Sequence, residues 1–395
     1  NLYSRFDRLR LSGYIQPQFQ VAESKGSKSF NGGDFSANSN NRFMLRRSRV
    51  RVDYVRSNKL QQPAMQFVFQ FDATERGVNV RDVWARFFDN KFQKFAFTAG
   101  VFARPFGYEL NLSSVDRESP ERGRMSQTLM KTERDLGAMV SFESRRKNDK
   151  WRYLKIDAGI FNGQGLNAPG DFDSYKDFIA RASLKPFPIT KKLTISSGVS
   201  YLNGGILQNT KYQYHMGTVS SNKTFVIDSN LTNIGKKDPR KYYGVDAQLR
   251  WKHSYGATEI RGEYWWGNQT ASAASSETPA ALLASGEAYY IRPFNGAFFY
   301  LLQNVVNQHH QLGFKIDWYD PNTKVAGNEI GKAGTSVNAT NIKYTTYSFG
   351  YNHYINENVK IIFWYDVVKN EKTQLTGYTT DLKDNIFTCR LQYRF

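Results

Sequence analysis

No stretch of the 395 residues approaches the roughly 18 consecutive apolar residues of a membrane-crossing helix, so a helical membrane protein is excluded. Cysteine is nearly absent. Cys389 stands alone, cannot form an internal disulfide, and lies on the apolar parity of the last strand, where it reads as a small lipid-facing hydrophobe. Histidine is sparse, and His215, His253, His309, His310 and His353 lack partners at ligand spacing, so no metal or other cofactor is expected. His253-Ser254 falls in a tight turn where adjacent side chains point apart, which argues against a hydrolytic dyad and for a non-enzyme. Asp171, Asp173 and Asp177 lack the glycine and twelfth-position acid of a calcium loop. Acidic residues are outnumbered, with 54 Lys plus Arg against 35 Asp plus Glu, and a net charge of +19 attracts anions of some kind. The sequence opens at Asn1 without a leader, so in an exported protein the numbering is that of the mature chain.

What the chain has in quantity is aromatic residues, 15% of the total, and strict alternation. Phe387, Cys389, Leu391, Tyr393 and Phe395 share one parity; Thr388, Arg390, Gln392 and Arg394 share the other, with Ile386 as the apolar intruder. A final strand with an aromatic outer face, ending on Phe395, is what a bacterial outer-membrane barrel uses to close its ring. The same period runs through Leu9 to Val21 against Arg8 to Gln20, through Val50, Val52 and Tyr54 against Arg49, Arg51 and Asp53, and through Tyr243 to Trp251 against Tyr242 to Arg250. These runs match the roughly 9–11 residues of a tilted spanning strand, and about sixteen of them fit the chain.

Connections are sorted by length. Short turns fall near 57–62, 89–91, 147–150, 188–190, 254–255, 305–307 and 356–357. Long polar ones fall near 22–42, 105–134, 163–175, 203–239, 269–287, 320–342 and 370–383, with the connection near 74–79 unexpectedly short. That sorting predicts one all-β domain over 1–395: a transmembrane antiparallel up-and-down barrel in the bacterial outer membrane, embedded in its lipid. No plug-sized segment precedes the first strand.

Arg46-Arg47-Ser48-Arg49-Val50, Phe71-Asp72, Val83-Trp84-Ala85, Gly100 to Gly107, Ser113 to Gly137, Asn162-Gly163-Gln164-Gly165, Lys176-Asp177 with Arg181, Asp317 to Thr323 and Tyr351 to Val359 occur in an order and spacing that resembles the phosphate-selective porin O and P family. The resemblance implies a sixteen-stranded porin, usually a homotrimer, with arginines lining a water-filled channel for small anionic solutes.

By parity, Arg8, Arg10, Arg47, Arg49 and Arg51 face the lumen, about 6.5 Å apart along each strand, a spacing suited to handing a phosphate-like anion from fork to fork. Residues 1–56 carry a net +7. Arg46 sits on the apolar parity and reads as snorkelling to a rim. The alternative for the wall is structural pairing with Asp53, Asp72 and Asp82. Connection 105–134 is the candidate constriction loop, folded inside against the small residues Ala96, Thr98, Gly100, Thr194, Ser196, Gly198 and Ser200. With Arg104 just before it, the loop supplies Arg117, Arg122, Arg124, Lys131 and Arg134, balanced by Glu109, Asp116, Glu118, Glu121 and Glu133. The loop is neutral where the wall is basic. A competing expectation is a non-conducting barrel that serves as scaffold for an acidic polysaccharide or an envelope or secretion partner, for which the lysines around 203–239 are suited. Nucleic acid is not expected as a partner, because parity turns the arginines inward.

Overall fold

A computed structural model describes residues 8–395; the expectation of no plug ahead of the first strand falls on residues 1–7, which lie outside the described residues. Strands β1 (Leu9–Ala22), β2 (Asn41–Ser57), β3 (Pro63–Thr74), β4 (Gly77–Phe88) and β5 (Phe95–Ala103) precede the longest inward connection. After it come β6 (Arg134–Glu143), β7 (Leu154–Phe161), β8 (Asp177–Pro188) and β9 (Leu193–Leu207). A hairpin of β10 (Gln213–Val219) and β11 (Asn222–Asp228) follows. The series ends with β12 (Lys237–His253), β13 (Gly256–Ala271), β14 (Tyr289–Asn304), β15 (His310–Asp320), β16 (Tyr344–Tyr354), β17 (Val359–Asn370) and β18 (Ile386–Arg394).

Each spanning strand pairs antiparallel with the next, β9 pairs β12, and β18 returns to pair β1, so sixteen strands close into a ring. Closure satisfies every edge, which hydrocarbon demands. Phe395 exchanges two backbone hydrogen bonds with Gly13, at 3.0 and 3.2 Å, and its ring occupies the space a Gly13 side chain would need. The last strand and the first are sealed together.

The pattern of exposure is inverted relative to a water-soluble sheet. Phe43 is 86% exposed and Leu11 66%, whereas Gln16 is 0% and Arg390 1% exposed. Apolar side chains cover the outside for lipid, and polar ones fill the lumen. Ile386, the intruder, packs inside with Ala22 and Phe35. Short turns and long connections alternate between the two rims, and the two-residue turn 75–76 is the exception the sequence marked.

The connection read as polar loop over 203–239 is largely strand. β9 runs on to Leu207, β12 starts at Lys237, and the β10–β11 hairpin lies between them, docking on β14 through a short parallel pairing of 213–215 with 289–291. Its turn uses Ser220 and Ser221 at φ of +46° and +66°. Such a turn ordinarily announces itself with Asn-Gly or Asp-Gly, and Ser-Ser carries no such signal.

Candidate functional site

Connection 104–133, between β5 and β6, turns into the lumen and touches strands around most of the ring. It enters by a tight corner. Gly107 has φ of +65°, and a side chain there would strike the Glu263 carboxylate, which accepts the backbone N–H groups of Tyr108 and Glu109 at 2.8 Å each. The Ser200 hydroxyl accepts the Gly107 N–H at 3.0 Å, so one of the small residues of β9 does meet the loop. Gly198, by contrast, is covered by the Arg181 guanidinium. A short helix, α1 (Arg124–Leu129), follows; Glu109 accepts the Gly123 N–H at its start.

The two arms of the loop carry Phe106, Leu110, Met125, Leu129 and Met130 into one buried cluster with Phe102, Met139, Phe161, Ile179, Leu202, Tyr242, Trp265, Phe294 and Tyr319 from the wall. Phe106 meets Trp265 edge to face at 4.7 Å between ring centres. This side of the lumen is filled like the core of a soluble protein.

The middle of the loop is held by polar contacts instead. Ser114 bonds the Tyr14 hydroxyl at 2.5 Å, Glu118 pairs with Arg261 at 2.7 Å, Ser119 bonds the Tyr300 hydroxyl at 2.7 Å, and Lys360 donates to the carbonyls of Val115 and Arg117. Glu121 accepts from three guanidiniums: Arg46 at 2.8 Å, Arg47 at 2.6 Å and Arg390 at 2.9 Å. Burial alone raises the pKa of the Glu121 carboxyl, but Arg46, Arg47 and Arg390 outweigh it and hold the group well below the usual carboxylate range. Glu133 is treated the same way: burial opposes, and Arg81, Arg122 and Arg134 lower it.

Two β-bulges explain how so many arginines reach one place. Gln16 is opposite Arg47 while Pro17 is opposite Leu45, which leaves Arg46 as an extra residue in β2. Gln70 is opposite Asp82 while Phe71 is opposite Val80, which leaves Arg81 extra in β4. A bulge breaks the alternation and lets neighbouring residues share a face. Arg46 therefore joins Arg47 at Glu121 in the lumen and does not snorkel to a rim; Arg81 joins Asp82 inside.

Arg49 and Arg81 share Asp72, at 2.8 and 3.8 Å. Arg81, Arg122 and Arg134 share Glu133, at 3.1, 3.4 and 3.7 Å, and Arg134 also reaches Asp82 at 3.2 Å. Seven guanidiniums thus share four carboxylates, an excess of three positive charges. The loop by itself is neutral; the wall makes the site basic. Two cavities, of about 360 and 380 Å³, lie on either side of Arg49, Arg81, Glu133 and Arg134, which line both. The first extends toward the turn at Thr74 and the second toward Ser12 and Phe395, so these four residues lie at the level where the two adjoin.

The residues singled out from sequence are placed as follows. Arg47 and Arg49 are buried in the network, and Arg51 pairs with Asp53 on its own strand at 2.7 Å. Arg8 and Arg10 are exposed at the short-turn rim, away from it. Arg104 is buried and donates to the carbonyls of Thr132 and Gly163. Arg117 lies against the Leu112 carbonyl at 3.3 Å, and Arg124 stacks between Phe30 and Tyr344. Lys131 pairs with Glu277 at 2.7 Å near the surface. Pairing of wall arginines with Asp53, Asp72 and Asp82 does occur, for Asp53 as a single pair with Arg51 and for Asp72 and Asp82 inside a network with cations in excess. Arg81, Glu121, Glu133 and Arg390 were not singled out as site residues; adjacent charges at 46–47 and 81–82 were the available sign. Asp171, Asp173 and Asp177 diverge, to Lys176, to the Tyr175 and Leu207 N–H groups, and to Arg240.

Comparison with known proteins supports this architecture. The model of the family described as phosphate-selective porin O and P matches residues 315–395. No curated protein matches the sequence. Among solved structures, OprB of Pseudomonas putida is 8% identical with a TM-score of 0.59, over 100% of this chain and 96% of that one. The anion-selective porin from Comamonas acidovorans is 10% identical with a TM-score of 0.53, over 98% and 99%. OmpT of Vibrio cholerae, in its trimer form, is 11% identical with a TM-score of 0.53, over 98% and 99%. At such identities the likeness is one of fold. The chain is an integral outer-membrane β-barrel of porin architecture, whose residues 315–395 resemble the phosphate-selective porin O and P family.

Proposed function

We propose that the barrel is a porin through which small hydrophilic anions, phosphate-like ones among them, diffuse passively, and that it works as a homotrimer. The observation that carries this reading is the excess of guanidinium over carboxylate at the level of Arg49, Arg81 and Arg134, where the two cavities adjoin. A guanidinium stays charged, is weakly hydrated and offers a planar fork, so it replaces water around an anion without holding it fast. Shared carboxylates keep each binding step shallow, which a conducting pathway needs. Arg47, Arg49, Arg51 and Arg134 on the wall and Arg117 and Arg122 on the loop frame the route, and Arg8 and Arg10 present positive charge at its short-turn mouth. The trimer form in which OmpT is known supports the assembly.

The test is the reversal potential of the reconstituted protein in planar bilayers under a salt gradient, with chloride and then phosphate. Wild type gives steady open levels and prefers anions. The double variant Arg49→Ala/Arg81→Ala shifts the reversal potential toward cations, because Asp72 and Glu133 lose cations they now share. A barrel without steady conductance would defeat the porin reading; unchanged selectivity in the double variant would remove these arginines from it.

A further inference from the structure

A third cavity, of about 440 Å³, lies beyond the eyelet loop toward the long connections, between residues 129–132, 163–167 and 272–287. Its polar equipment is unspent. Gln164 is 8% exposed, and neither the oxygen nor the nitrogen of its amide has a protein partner. Arg104, 4% exposed, lines the same cavity and uses its terminal nitrogens on backbone carbonyls while its Nε bonds nothing. A buried amide with both ends unpaired is destabilising unless something else satisfies it.

The backbone fixes Gln164 in this position. Gly163 and Gly165 flank it at φ of +104° and +74°. A side chain on Gly163 would strike Arg240, one on Gly165 would strike Thr132, and the Gly163 N–H is held by Asp135 at 2.6 Å. The turn has no freedom to turn the amide out to water.

The rest of the lining restricts the occupant. Lys131 faces Glu277 at 2.7 Å, and Arg104 with Glu287 completes two charges of each sign, so the cavity has no net preference for an ion. Asn167 and the carboxylates supply further donors and acceptors, while Leu129, Pro279 and Leu283 form an apolar floor. A volume in the range of small-molecule sites, charge balance, an amide that donates and accepts, and an apolar surface together describe a site for a neutral polyhydroxylated solute.

We propose that this cavity binds a small sugar at the outer entrance, with Gln164 hydrogen-bonding adjacent hydroxyls and the Leu129–Leu283 surface taking the C–H face of the ring. The cavity shares Lys131, Thr132 and Asn167 with one eyelet cavity, but Gln164 and Arg104, on which the inference rests, line neither.

Saturation-transfer NMR on the full chain in detergent micelles, with D-glucose as probe and inorganic phosphate as competitor, tests it. Wild type gives a saturable glucose signal at concentrations below about 100 mM, unaffected by phosphate. Gln164→Ala, checked for folding by its mobility on unheated gels, weakens the signal about three- to tenfold, as loss of one or two neutral hydrogen bonds does. Asn167→Ala, at the solvent side, weakens it less. No saturable signal in wild type, an undiminished signal in folded Gln164→Ala, or displacement of glucose by phosphate would each overturn the assignment.

Discussion

The two sides of the lumen are built on opposite principles. On the side of β6–β9 and β12–β15, the loop arms are buried in a dry cluster around Phe106, Leu129 and Trp265. On the side of β1–β4 and β18, the same loop meets the wall through polar contacts, with Glu121 against Arg46, Arg47 and Arg390, Glu133 against Arg81, and Ser114 against Tyr14. Apolar packing is indifferent to salt and pH and fixes where the loop lies. Ion pairs with guanidiniums in excess respond to charge and pH, and they leave polar groups lining the two cavities. On the porin reading proposed above, the difference would separate anchoring and selecting onto opposite walls.

That division is most directly broken by Phe106→Ala. Phe106 is fully buried and sits edge-on to Trp265, so its truncation opens a cavity in the anchor at a cost of about 3–5 kcal/mol. The barrel survives, because its strands do not depend on the loop. The loop then loosens: thermal unfolding shifts down, and single-channel records show larger, noisier conductance with the wild-type sign of selectivity. A quiet wild-type conductance in this variant would show that the ion pairs alone hold the loop.

Glu121→Gln strikes the opposite wall, with a smaller effect of about 1–3 kcal/mol, since the amide keeps one acceptor while three guanidiniums lose their counter-charge. Anion preference should rise and the open level should flicker. The same contact sets a pH dependence. The Glu121 carboxyl has an ordinary value of 4.5 and lies well below it when docked, so docking is favoured at every pH above that value and is lost only as pH falls through the depressed one. Selectivity is therefore expected to be flat from neutral pH down through the ordinary carboxylate range, with flicker appearing only in stronger acid. Flicker that sets in near pH 5 in the wild type would mean that Glu121 is not held by these arginines.

How much of this was legible in the sequence follows from what period two can and cannot carry. The faces of β1, β12 and β18, the closing role of Phe395 and the sorting of turns were all written in alternation, because a lipid-facing side chain cannot be exchanged for a lumen-facing one. Arg46 and Arg81 were not, since a bulge resets the parity without a residue of its own to mark it. The β10–β11 hairpin was hidden by its Ser-Ser turn. The dry cluster was hidden for another reason: Phe106, Leu110, Met125 and Leu129 belong to an irregular loop with no period, and they read as apolar only once the wall that covers them is known. Charge counting misled in a similar way, for a loop with equal numbers of each sign becomes part of a basic site when β2, β4 and β18 add their arginines.

The smallest effect is expected where a cation named by sequence lies outside both principles. Lys131 belongs to the loop, yet its side chain is 59% exposed and its partner Glu277 sits on the long connection after β13. An exposed pair of this kind contributes below about 1 kcal/mol and is screened by salt. Lys131→Ala should leave thermal stability within about 1 kcal/mol of wild type and should move the reversal potential by far less than Arg49→Ala/Arg81→Ala does. If it instead matched that double variant, selection would reside at the outer entrance, where charge is merely concentrated, and the buried network would be scaffolding. Equal charge with unequal burial is what the comparison turns on, since a fixed guanidinium in a narrow, weakly screened passage acts on every ion that crosses, while a solvated ammonium acts mainly within a Debye length of about 8 Å at physiological salt.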